Sequence, residues 1–152
     1  MEVFGATDTG VVINGVRWAT RNVSAASRSF AHSPESFGGL FIWSQRNACP
    51  PGWRLPWRHE FESLANAGSV WYNKNGSNGR LFGTYPYQIF LPAAGSINWW
   101  TDNLNDRNVR GAYYVDGLSN IGTFDITVSS ASANIHGNPN SFNAFSVRCV
   151  AI

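Results

Sequence analysis

The sequence predicts an α+β domain, and three observations predict it. One amphipathic helix signal follows Pro56, β-type segments separated by Asn-Gly turns fill much of the rest, and connections such as 20–39 are long. At 152 residues the chain is one domain, 1–152, large enough for a single core.

Taken in order, Val11 to Ala19 reads as a β-hairpin, because Asn14-Gly15 sits between runs of β-formers. Thr20 to Gly39, rich in Ser, Gly and Ala, predicts a long surface loop. Leu40 to Trp43 predicts a short strand or buried apolar segment, and Cys49-Pro50-Pro51-Gly52 a turn. The helix after Pro56 is marked by Phe61, Leu64 and Ala65 at i, i+3, i+4. Glu60 and Glu62 lie in its first turns, where the dipole favours carboxylates, and Gly68 closes it. Asn75-Gly76 and Asn78-Gly79 predict two turns, and Ile89 to Leu91 a strand stopped by Pro92. Phe124 to Val128 alternates, which would turn Phe124, Ile126 and Val128 inward. Phe145 to Val150 predicts a terminal strand. Connections this long in a compact domain are usually functional.

Only 13% of residues are charged, the net charge is +2, and 14% are aromatic, seven of them Trp. Disorder needs the opposite balance, and electrostatic nucleic-acid binding needs a basic stripe. No apolar run approaches a membrane span, so no membrane insertion is expected. The cations are nearly all Arg, which suits stacking on indoles. Met1 to Gly5 has neither a basic nor an apolar leader region. Export by another route, such as a phage particle, is one expectation; a leader absent from this stretch is the other. Cys49 and Cys149 lie outside any Cys-x-x-Cys pair, which leaves a disulfide between them or two buried free thiols.

A succession of motifs runs through the chain: Gly10 to Asn22 (GVVINGVRWATRN), Cys49 to Pro56 (CPPGWRLP), Glu60-Phe61, Val70-Trp71, Asn75-Gly76, Asn78-Gly79-Arg80, Phe82-Gly83, Phe90 to Gly95 (FLPAAG) and Phe145 to Val150 (FSVRCV). It resembles the Fibrobacter succinogenes major paralogous domain family, common in surface proteins of gut Bacteroidetes and their phages. The likeness covers most of 10–97 and 145–150. It implies a C-type lectin-like or formylglycine-generating-enzyme-like fold, with paired N- and C-terminal strands and loops gathered on one face. The chain departs from the family twice. Trp57 replaces the Thr that would cap the helix, a loss of about 1 kcal/mol, which packing or an exposed interface role would offset. Tyr114-Val115-Asp116 stands where the family has Tyr-Trp-Ser-Ser.

Enzymatic chemistry finds no support. The resemblance places both cysteines at structural positions, so the catalytic thiol pair of the formylglycine-generating enzymes is missing. His59-Glu60 begins like a zincin motif, but Ser63 takes the place of the second His. There is no Gly-x-Ser-x-Gly and no phosphate loop. His32, His59 and His136 are too scattered for a metal site. Glu60 and Glu62 do not share a helix face. Asn138-Pro139-Asn140 and Trp100-Thr101-Asp102 only faintly echo the calcium-binding motifs of lectins, in reversed order. No catalytic residue, cofactor or metal is expected; calcium is left without support.

One asymmetry remains. Residues 1–100 hold fifteen Trp, Glu, Gln, Lys and Met, and residues 101–152 hold none, while nine Asn fall between Asn98 and Asn143. Lectin-fold variable proteins of diversity-generating retroelements carry this signature: adenine-directed mutagenesis turns Asn codons into NNC and NNT, which cannot encode those five types. The alternative is that β-rich segments are poor in Lys and Glu and that Asn is common in turns. The tract divides the chain into a framework (10–97), ligand-binding loops (98–144) and a terminal core strand (145–150). The expected surface is Trp99, Trp100, Asn103, Asn105, Asp106, Arg107, Asn108, Arg110, Tyr113, Tyr114, Asp116, His136, Asn138, Asn140, Phe142 and Asn143. Tyr with Asn is what adaptable binding surfaces use. The expected function is non-enzymatic ligand binding: the receptor-recognition domain of a phage tail fibre or a bacterial surface adhesin. Its partner would be a host-cell surface protein or glycan, and a homotrimer is open to it. The alternative is a structural or assembly domain of a Bacteroidetes surface protein with no ligand of its own.

Overall fold

A computed structural model describes residues 7–98, 100–117, 121–135 and 143–152. Its elements are β1 (Val11–Ile13), β2 (Val16–Trp18), β3 (Trp53–Arg54), α1 (Arg58–Asn66), β4 (Ser69–Lys74), β5 (Ser77–Thr84), β6 (Tyr87–Pro92), β7 (Ser96–Asn98), β8 (Asn103–Asn105), β9 (Gly111–Val115), β10 (Gly122–Ile126), β11 (Ala131–Ile135) and β12 (Val150–Ala151). They form antiparallel sheets ordered β1-β2-β12-β3, β11-β10-β9, β4-β5-β6 and β7-β8.

The expected α+β class is therefore corrected. Of the described residues 44% are strand and 9% helical, with one α-helix, so the fold is mostly β in several small sheets. The C-type lectin-like or formylglycine-generating-enzyme-like assignment belonged to that class and is withdrawn with it. A nine-residue helix shows clearly in the sequence because its period is distinctive, but it does not make a helical layer.

The Asn14-Gly15 hairpin and the Asn75-Gly76 turn form as read. Asn14 and Gly15 take φ of 50° and 82°, and Asn75 and Gly76 take 49° and 96°, the left-handed pairs that match strand twist. Asn78-Gly79 is not a turn: both lie inside β5. A Cβ on Gly79 would stand 2.2 Å from the Leu91 carbonyl oxygen, so this glycine serves close strand approach. The stretch 20–39 is irregular but not superficial, since Asn22, Val23, Phe30 and Ala31 are buried. Pro92 ends β6 from within. The alternation at Phe124 holds for Phe124 and Ile126, while Val128 lies beyond β10 and is 67% exposed. The terminal strand is short. Phe145 and Ser146 make only isolated bridges to Phe41 and Tyr113, and Val150 pairs with Trp18, joining the two ends of the chain as expected.

The core has two parts. One gathers Val23, Phe30, Leu55, Tyr114 and Val147 around the cysteines, and the other gathers Trp18, Phe61, Phe82, Tyr113 and Phe124 under α1. Phe61 stacks on Phe124 at 4.6 Å between centroids. Strand β9 runs between the two parts, and alternation sends Tyr113 to one and Tyr114 to the other. Cys49 and Cys149 are bonded, which points to an extracellular or otherwise oxidising environment. Among the described residues no helix is long and apolar enough to cross a membrane.

Candidate functional site

The residues expected to form one surface have separate fates. Tyr113 and Tyr114 are fully buried, which corrects the expectation of exposure. The Tyr113 hydroxyl donates to the Pro92 carbonyl at 2.6 Å and accepts from Asn22 Nδ2 at 3.1 Å. The Tyr114 hydroxyl donates to the Phe41 carbonyl at 2.7 Å. Burial pushes both phenols up, that of Tyr113 to about 12. A strand covered on both faces shows no polar alternation, so its tyrosines read like loop aromatics.

Three more of these residues brace the framework. Arg107 stacks on Phe37 at 4.4 Å and donates to the Ala94 carbonyl, and burial lowers its pKa. Asn108 is held to Asn78, accepting its N–H at 3.0 Å and its side-chain amide at 3.1 Å. Arg110 pairs with Asp125 at 2.6 Å, a carboxylate also held by Thr123 and Asn134. Asp102, Asp106 and Asn108 all have φ between 56° and 69°, the left-handed region these short polar residues tolerate. Part of the tract's Asn and Asp content is thus backbone geometry.

What stays outward is the β7–β8 hairpin and the turn after it. Asn98 builds the tip: its side-chain oxygen takes the Trp100 N–H at 2.9 Å, and its carbonyl the Asp102 N–H at 2.7 Å. Trp100 is 78% exposed, and Asn103, Asn105 and Asp106 are exposed beside it. Leu104, opposite Ile97, and Val109 are exposed too and had no sequence signal, being single apolar residues in a polar stretch. Ile97 pairs with Ala144, which brings half-buried Asn143 next to the hairpin. Trp99, His136, Asn138, Asn140 and Phe142 lie outside the described residues.

Asp116 sits elsewhere. It forms a parallel bridge with Trp57, donating its N–H to the Pro56 carbonyl at 2.8 Å. Here the start of α1 is built without a side-chain cap. An indole cannot accept the N3 amide, so only the reciprocal half of a capping box remains, Trp57 N–H to Glu60 Oε1 at 2.8 Å. Arg54 grips both Glu60 oxygens at 2.8 Å and stacks on Trp57 at 4.1 Å. Burial works against Glu60 ionisation, but the Arg54 and Trp57 hydrogen bonds outweigh it and hold the carboxyl below its ordinary value. Hydrogen bonding to Glu60 in turn raises Arg54. Trp57, Arg58, His59, Glu62, Asp116 and Gly117 line an open cleft of about 460 Å³.

The motif arginine Arg148 is wholly buried and structural. It donates to Asn22 Oδ1 at 2.8 Å, the Ala19 carbonyl at 3.1 Å and the Phe90 carbonyl at 2.8 Å. Among the described residues no cluster of three His, Cys, Asp or Glu could hold a metal. No family model, curated protein or solved structure matches the chain.

Proposed function

We propose that this chain is a non-enzymatic recognition module, kin to the Fibrobacter succinogenes major paralogous domain family. It would serve as the receptor-binding domain of a phage tail fibre or bacterial surface adhesin, with a host-cell surface protein or glycan as partner. One observation carries the reading. The Asn-rich tract divides into residues that brace the framework and an outward hairpin, with the turn after it, that together present Trp100, Asn103, Asn105 and Asp106. A rigid base with an aromatic anchor and adaptable amides is the chemistry of a paratope.

The tip also bears on diversification by a retroelement. Only the outward positions can vary without touching the core, so Asn103 and Asn105 are its expected targets and Tyr113 and Tyr114 are not. A near-repeat beside the gene should differ from it at adenines in the Asn103 and Asn105 codons and match it at Tyr113 and Tyr114; differences spread evenly over the core codons, or no such repeat, remove this part of the reading.

The binding test uses the labelled protein on a panel of gut Bacteroidetes cells. Replacing Trp100, Asn103 and Asn105 together by Ala should abolish cell binding and move stability by no more than about 0.5 kcal/mol per site. Unchanged binding would favour an assembly role.

A further inference from the structure

We propose a second binding site, outside the hairpin: the cleft at the start of α1 takes a neutral pyranose sugar, stacked on Trp57. The proposal goes beyond the recognition reading and does not rest on it.

The first support is the aromatic. Trp57 is 43% exposed although a Trp in a helix-capping position brings no cap. Its exposure is not looseness. The Arg54 guanidinium covers the ring at 4.1 Å and is itself locked by two 2.8 Å bonds to Glu60, which also holds the Trp57 N–H. A flat apolar plate fixed from behind loses little freedom when a ligand lands on it. Arg54 lines a neighbouring hollow and not this cleft, and on the cleft's lining the His59 ring stands 5.5 Å from the indole, tilted 38° to it.

The second support is the rim. Among the described residues of the lining Trp57 is the one large apolar side chain, a single plate and not an aromatic cage. Around it stand donors, Arg58 and His59, and acceptors, Glu62 and Asp116. Arg58 and Glu62 lie 3.5 Å apart and offset each other's charge. The Asp116 carboxylate accepts no hydrogen bond among the described residues, although its backbone is fixed to Pro56. Hydroxyls both donate and accept, and a pyranose turns one face of C–H groups outward. A single plate ringed by mixed donors and acceptors of little net charge fits that ligand better than an ionic one. The cleft, at about 460 Å³, is of small-ligand size.

The test titrates the whole protein with methyl glycosides of glucose, galactose, mannose and N-acetylglucosamine. It follows indole N–H signals by NMR, with circular dichroism on every variant. One of these sugars should saturate the Trp57 signal. Trp57→Ala should weaken it about tenfold or more while Trp57→Phe keeps most of it, and Asp116→Asn should weaken it less. Trp100→Ala should leave the titration unchanged, which separates this site from the hairpin. Both Trp57 variants should fold, because the Glu60 bond uses the backbone N–H. Saturation that survives Trp57→Ala overturns the proposal. So does silence toward every sugar in a folded protein, whether or not it selects Trp57-dependent peptides from a displayed library.

Discussion

Arg148 shows how a single residue can hold distant segments together. Its guanidinium satisfies Ala19 and Asn22 near the first sheet and Phe90 in β6, with no carboxylate among its hydrogen-bond partners in the described residues. Burial lowers its pKa to about 10, so it stays charged at neutral pH. A lysine carries the charge but not the planar fork. Arg148→Lys should therefore cost about 3 kcal/mol in urea unfolding, against little for the exposed Arg58→Lys. The five tyrosines divide as cleanly. Tyr72, Tyr85 and Tyr87 are exposed and Tyr113 and Tyr114 buried. Because burial raises the folded pKa of the buried pair, their contribution is complete below the unfolded value of 10.0 and is lost as pH rises toward about 12 for Tyr113. Tyrosinate absorbance should show Tyr113 and Tyr114 ionising only with alkaline unfolding. Their ionisation in the folded protein would contradict their burial. The sequence offered Tyr113 and Tyr114 as surface aromatics because burial on both faces of a strand leaves no periodic trace.

At the scale of elements, α1 was legible from its apolar spacing and from Gly68, which takes φ 85° after the last turn. Its start was not, since an Arg–Glu pair replaces the lost side-chain cap. Glu60→Ala removes the partner of both Arg54 and the Trp57 N–H and should cost about 2 kcal/mol. The folded pKa of Glu60 lies below its ordinary 4.5, so this contribution is full above that value and disappears as pH falls through the lower folded one. The acid limb of a melting-temperature profile should flatten in Glu60→Gln. The turns at Asn14-Gly15 and Asn75-Gly76 read correctly because the dipeptide itself encodes left-handed backbone. Asn78-Gly79 misread because the same dipeptide met a different need, space beside Leu91.

At the scale of the molecule, many small sheets share two apolar clusters, and the Cys49–Cys149 bond ties the middle of the chain to its end across 100 residues. Closing so long a loop limits the unfolded ensemble. Replacing both cysteines by Ala should lower stability by about 2–5 kcal/mol, measured in denaturant against the intact protein. A loss near zero would mean that the clusters alone hold the ends.

The sequence by itself determined the single helix, the turns at Asn14-Gly15 and Asn75-Gly76 and the compositional break at residue 100. These are local or additive properties, carried by spacing, dipeptide chemistry and counts. Only the tertiary structure decided that the fold is mostly β, that the cysteines meet, and which members of the Asn-rich tract brace the framework while Trp100 and its neighbours face outward. Those facts depend on which strand lies beside which, and alternation within one strand cannot say whether its second face is covered.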